Sequence, residues 1–539
     1  MSNFLLALAL SFAVPLLLGC NDRGGPTSIN VPNEVAPDAQ RKELGRQLLA
    51  SGSDMLNNLD HFVEGGSDFR EASTEDAVRQ TVRRLNEGLA LTAGDETQKP
   101  LLTEDDGKVL REIVWLRDAA QFAVGDATDP LERAERLFDW TIRNIQLIPD
   151  DAPTEQRLPL LPWHVLVFGR GTALDRAWLF QLMARQQGLD VVLLAYSDMS
   201  EKDLAAGDGK RWWCAALALE GAATVGKPAG LYLFDTRWGT PIPGPDGKGV
   251  ATLSQAAADD KLLRALDIDE KHLYPVRAAD IQKVTALVET SSPYLAERFA
   301  KLEAALGGED KLSLSVNREA IAANVKKLLH VDRVQDWPLR DVRFAASREK
   351  PAYEALSKQL LAFSRRPRDL TTGRVGTPPL WRARVRHISG KYYENMDETD
   401  AALRRPMIVR WYQMARPAES DLGSLQLDTL NWEQLHRMKQ HASYWLGLAS
   451  FDLGNYDTAA TFLSLVLKEE ANGGWTAGAR YNLGRTYEAQ AAAAPDPAQK
   501  KAMLAQAVET YRSTYLGLPP DAECLYRALH IDARRETTK

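Results

Sequence analysis

The chain has 539 residues and a formal net charge of −7, with 45% hydrophobic and 26% charged residues. That composition is ordinary for globular protein, and the length suggests roughly three to five domains or subdomains. No Lys- or Arg-rich stripe occurs, which argues against nucleic acid as a partner. The eight histidines are scattered, with no CxxC pair and no HExxH helix, so neither a metal nor a cofactor is expected.

The first stretch, MSNFLLALALSFAVPLLLGC, is an apolar run interrupted by Pro15. It is too short to span a bilayer and fits the core of a signal peptide. Its ending LLGC resembles a bacterial lipobox, which implies lipid attachment at Cys20. NDRGGPTSINVPNEVAPDAQ follows, rich in Gly, Pro, Asn and Asp, and reads as a flexible tether to residue 40. Cys214 and Cys524 are the only other cysteines, too few for a disulfide framework.

Residues 41–128 read as a helical layer. Val78, Val82, Leu85 and Leu89 share one helix face, as do Leu110, Ile113, Leu116 and Ala120. In DPLERAERLFDWTIRNI, Asp129 suits an N-cap and Pro130 the first helical position. Leu131, Ala134, Phe138, Ile142 and Ile145 form its buried stripe. In GRGTALDRAWLFQLMARQQGL, Thr172 and Asp175 are spaced as a capping box. Gly188 closes that helix in the left-handed region. VVLLAY, RWWCAALALE and GLYLFDTRWG then read as three strands of an antiparallel meander. Residues 261–380 return to helical spacing, at Ile321, Val325 and Leu328 and again at Leu356, Leu360 and Phe363. RRPRDLTTGRVGTPPL reads as a boundary loop.

From about residue 381 the chain resembles tetratricopeptide repeats, in which small residues let two antiparallel helices approach closely. One copy carries Leu446-Gly447, Gly454, Tyr456 and Ala459. The next carries Leu483-Gly484, Tyr487, Ala507 and Tyr511, with AAAAPDPAQKK inserted in its turn. HISGKYYENM, followed by Ala401, resembles a degenerate earlier copy.

Residues 129–245 resemble the bacterial transglutaminase-like (papain-like) domain. PLERAERLFDWTIRNI is similar to that family's opening helix, and GRGTALDRAWLFQLMARQQGL to its glycine–x–cysteine motif and following helix. RWWCAALAL is similar to the histidine–x–tryptophan strand, and LYLFDTRWG to the strand ending in the aspartate. The resemblance implies a cysteine thiolate at the helix head, a histidine base and an orienting aspartate. In this chain those positions hold Ala173, Arg211 and Asp235. A methyl group cannot attack a carbonyl, and a guanidinium is no base at neutral pH. An Arg211–Asp235 ion pair is the expectation in place of the His–Asp pair.

Three other residues are candidates for relocated chemistry, and each has a plainer role. Asp175 is explained by capping. Cys214, by strand alternation, points opposite Trp213 and Arg211 and away from the cleft. His164 is expected to be exposed or hydrogen-bonded. Trp163, Trp178, Trp212, Trp213 and Trp238 crowd this domain and read as core.

The expected architecture is α+β: a mostly helical chain with a small antiparallel-sheet transglutaminase-like domain (129–260), a helical middle region (261–380) and C-terminal helical repeats (381–539). The expected function is that of a lipoprotein of the bacterial cell envelope, acting as a non-catalytic interaction or scaffold module with membrane and protein partners. A transglutaminase or cysteine-peptidase with relocated residues, and an aromatic-lined binder of wall glycans or peptides, are the alternatives.

Overall fold

The computed structural model describes residues 38–57, 71–94, 101–198, 200, 212–220, 227–307, 311–365, 378–393, 406–424, 427–469 and 474–537. The signal-like stretch with Cys20, most of the tether, Arg211, Ala401 and most of the boundary loop lie outside them. Among the described residues no helix is long and apolar enough to cross a membrane.

Helices α1 (Asp38–Asn57) and α2 (Glu71–Ala93) pack as a pair, so the last three tether residues are helical. Helix α3 (Glu104–Val124) starts from a capping box between Thr103 and Asp106. Helix α4 (Pro130–Asn144) starts as its sequence implies: the Asp129 side chain accepts from Glu132 N at 2.9 Å, with Pro130 in the first turn. A short helix, α5 (Pro162–Phe168), leads to Gly169 in the left-handed region. Two-residue strands β1 (Gln146–Leu147) and β2 (Arg170–Gly171) pair in parallel just before the central helix.

That helix, α6 (Ala173–Gln186), is buried along its whole length from Ala173 to Ala184. A helix with no solvated face belongs in the middle of a core. Helices α3 and α4 cover one side of it and a sheet the other.

The sheet joins β3 (Val191–Tyr196), β4 (Trp212–Leu219), β5 (Gly230–Asp235), β6 (Thr240–Pro241), β7 (Val284–Glu289) and β8 (Val331–Trp337), in the order β6-β5-β4-β3-β7-β8. The meander β3–β6 is antiparallel, as expected. The sheet as a whole is mixed, because β7 and β8 come from the middle region and pair in parallel. That region is therefore not purely helical, although helices α7 (Arg318–Val325) and α8 (Leu339–Ser347) do form there. VTALVE is a short, mostly apolar run, a length at which periodicity alone does not separate strand from helix.

A bulge reshapes β4. Leu194 pairs with Cys214 but Ala195 pairs with Trp212, which leaves Trp213 without a partner on β3. Trp212 consequently packs in the core that holds α6, while Trp213 and Cys214 both pack in the cluster on the other face. Simple alternation put Cys214 opposite Trp213, and the extra residue corrects that.

The C-terminal helices are α9 (Thr429–Asp452), α10 (Tyr456–Glu469), α11 (Thr476–Ala493), α12 (Pro497–Arg512) and α13 (Ala522–Thr537), each packed on the next. A Cβ on Gly447 would stand 2.7 Å from Leu463 Cγ, and one on Gly484 would stand 2.3 Å from the Tyr511 ring. Both glycines thus mark places where two helices touch too closely for a side chain. The first helix of each hairpin, α9 or α11, faces the rest of the protein. Asp452 accepts from Arg143 at 2.9 Å, Asp139 from Arg485 at 2.6 Å, and Gln146 Oε1 from Gly478 N at 2.8 Å.

Candidate functional site

The head of α6 is where the resemblance places its chemistry. The Thr172 hydroxyl accepts from Asp175 N at 3.2 Å, and Asp175 Oδ2 accepts from Thr172 N and its hydroxyl at 2.9 Å each. The predicted box is therefore complete. Its other carboxylate oxygen lies 3.3 Å from Arg343 of α8. Asp175 is thus committed to the cap and to a cation from the middle region. Gly188 ends the helix with φ +66°, as its sequence implies.

Ala173 itself is 0% exposed. Its carbonyl accepts from the Thr236 hydroxyl at 2.7 Å, which ties the helix head to the end of β5. One turn further, Arg176 is also fully enclosed. Its guanidinium donates to Ile145 O at 2.7 Å, to Thr236 O at 3.1 Å and to Glu523 Oε2 at 2.7 Å. Glu523, in the first turn of α13, is 3% exposed and lies 347 positions away. Gly239, at φ +62°, leaves Glu523 its place: a Cβ there would lie 2.8 Å from Glu523 Oε2. The middle region and the C-terminal helix therefore meet at the head of α6.

Asp235 is retained and buried at the end of β5. Its Oδ1 accepts from the backbone N–H of Arg237 at 2.7 Å and of Trp238 at 3.0 Å. Its Oδ2 accepts from the Tyr274 hydroxyl at 2.5 Å, and that hydroxyl accepts from Trp213 Nε1 at 2.8 Å. Tyr274 and Trp213 both pack in the cluster on the sheet face away from α6. Arg211, the expected partner, lies outside the described residues. The nearby guanidinium is that of Arg237, which lies over the Trp212 ring and donates to Asp150 at 2.7 Å.

The other candidate nucleophiles and bases are buried. Burial, and then the charge of Asp235, push the Cys214 thiol well above its ordinary value, so it remains protonated. Cys524 is buried and shifted likewise, and both thiols are free. His164 is buried. It accepts from Leu161 N at 3.1 Å, and burial followed by the Arg340 charge pushes it down to about 3. Trp178, Trp212 and Trp213 are core residues, while Trp163 and Trp238 are partly buried. Among the described residues no group of three or more His, Cys, Asp or Glu is placed to hold a metal ion.

Sequence reasoning missed Tyr274, Glu523 and Arg343, whose contacts cross long stretches of chain. One signal was present. Arg176 follows Asp175 in a helix that is otherwise largely apolar, and a buried guanidinium requires partners.

Residues 117–216 match the family model described as the transglutaminase-like superfamily. The chain therefore contains a transglutaminase-like domain. The match takes in α4, α6 and the start of β4, and stops before Asp235. No curated protein and no solved structure matches the chain.

Proposed function

We propose that this chain is a lipid-anchored protein of the bacterial cell envelope. Its transglutaminase-like domain has given up acyl transfer and serves, with the C-terminal hairpins, as an interaction scaffold. The observation that carries this reading is the helix head. A methyl group stands where the nucleophile belongs, without solvent access, and the retained aspartate is satisfied by Tyr274. The LLGC ending at Cys20 supports the anchor.

The hairpins support a tetratricopeptide-like reading. Gly447 and Gly484 occupy equivalent close-approach positions, and Ala459 and Ala507 are both buried. Such repeats commonly present their first helices to a partner. In this chain α9 and α11 are engaged by α4 and β1, which leaves α10 and α12 as the faces turned to a protein partner.

The test is made in cells. The full chain should incorporate labelled fatty acid and sediment with membranes, and Cys20→Ala should abolish both. Photo-crosslinkers on exposed positions of α10, such as Thr461, should give a discrete protein adduct, and the same probe on Thr172 should give none. A Cys20→Ala chain that still carries lipid would refute the anchor. Adduct formation from Thr172 alone would refute the scaffold faces.

A further inference from the structure

The opposite end of α6 holds a cavity that the acyl-transfer resemblance does not account for. Fourteen residues of helix, roughly 20 Å, separate it from Ala173. The cavity has a volume of about 250 Å³ and lies between the end of α6, the start of β3 and helix α7. A cavity of about 150 Å³ already accommodates benzene. Leu189, Val191, Val316 and Ile321 supply apolar wall.

The polar side chains in the wall are Gln181, Arg185, Asp190, Ser315 and Asn317; the Ser315 hydroxyl donates to Glu303 at 2.7 Å and Asn317 Oδ1 accepts from Ala320 N at 3.0 Å. Asp190 lines the cavity, and among the described residues its carboxylate makes no hydrogen bond or ion pair. Gln181 donates its Nε2 to Val191 O at 2.9 Å, and among the described residues no protein donor reaches its Oε1. The wall's cation is already engaged. Arg185 donates to Glu289 O at 3.0 Å, lies 3.5 Å from Glu289 Oε2 and stacks on the Tyr294 ring. The uncommitted charge facing the cavity is therefore negative.

We propose that this cavity binds a small organic cation, an ammonium group on a compact apolar body, with Asp190 as its counter-ion and Gln181 Oε1 as a second acceptor. An ammonium has only donors, and it complements the Asp190 carboxylate and Gln181 Oε1. An anion would meet the Asp190 carboxylate beside an Arg185 guanidinium already paired with Glu289. Burial raises the Asp190 carboxyl above its ordinary value, and the Arg185 charge opposes that rise.

Calorimetric titration of the chain lacking residues 1–20 tests this with three probes that share one six-carbon ring: cyclohexylammonium, cyclohexanol and cyclohexanecarboxylate. The ammonium should bind about tenfold or more tighter than the alcohol, because a charge-assisted hydrogen bond is at stake. The carboxylate should not bind. Asp190→Asn should remove the ammonium's advantage. Ala320→Trp, at an exposed lining position, should block binding of every probe without changing the unfolding midpoint. Carboxylate binding as tight as ammonium binding would overturn the proposal. So would an unchanged ammonium affinity in Asp190→Asn, or no ammonium binding at millimolar concentration. These results are independent of whether the head of α6 has any activity.

Discussion

The two ends of helix α6 were put to opposite uses. At its head, charged groups from distant segments converge and pair, Asp175 with Arg343 and Arg176 with Glu523, while across the sheet Asp235 accepts from Tyr274. At its tail, a hollow remains, and among the described residues the Asp190 carboxylate makes no hydrogen bond or ion pair. The comparison separates two meanings of a charge in a protein interior. A paired charge holds segments in register and contributes little net stability. An unpaired one is a cost that a ligand can relieve. By that criterion the end with the familiar motif is a structural joint, and the end without one is the better candidate for binding.

The comparison is broken most readily at Arg176. Arg176→Ala leaves the Glu523 carboxylate buried without its cation and should cost about 3–5 kcal/mol, measured by chemical denaturation. A cost below 1 kcal/mol would show that the head is not a joint.

Acid acts next, and with opposite sign at the two ends. His164 is held neutral down to about 3 in the folded chain, against an ordinary value of 6.5. The unfolded chain therefore takes up the proton first, so this stability is complete above 6.5 and is lost as pH falls towards 3. Asp452, below the head, behaves in the same sense. Burial works to raise it, but Arg143 and His387 hold it at about 2 against 3.8, so its contribution is lost as pH falls through that interval. The Asp190 carboxyl is raised instead, and its penalty is relieved as pH falls. The unfolding midpoint should therefore drop on acidification, and His164→Gln should flatten the slope between 6.5 and 4.5 whereas Asp190→Asn should not.

Tyr274→Phe removes the donor to Asp235 and the acceptor for Trp213, and should cost about 1–3 kcal/mol by the same denaturation measurement. The smallest effect is expected at the tail. Asp190→Asn should change stability by no more than about 0.5 kcal/mol at neutral pH, because among the described residues no hydrogen bond or ion pair is lost. A large loss there would reveal a structural role and erase the contrast.

What was legible in the sequence was local. The Thr172–Asp175 box, the Asp129 cap and the left-handed Gly188 each depend on neighbours within a few residues, and spacing alone locates them. Gly447 and Gly484 were legible because the repeat brings a fixed offset to the same contact. The partners of Arg176 and Asp235 were not, since no local rule links position 176 to 523 or 235 to 274. Strand β8 was hidden for another reason. At the sheet's edge it exposes Asp332, Arg333 and Asp336, and a polar edge strand carries no apolar alternation. The bulge at Trp213 adds one residue without a Gly or Pro to announce it.

The most direct test of the central claim, that the head of α6 is a joint without acyl-transfer chemistry, is turnover itself. Purified chain lacking residues 1–20 is given a glutamine-containing peptide and a labelled amine, and both amine incorporation and peptide cleavage are followed. Neither should rise above the enzyme-free rate. Turnover that disappears in Cys214→Ala or Asp175→Asn, with an unchanged unfolding midpoint, would contradict it.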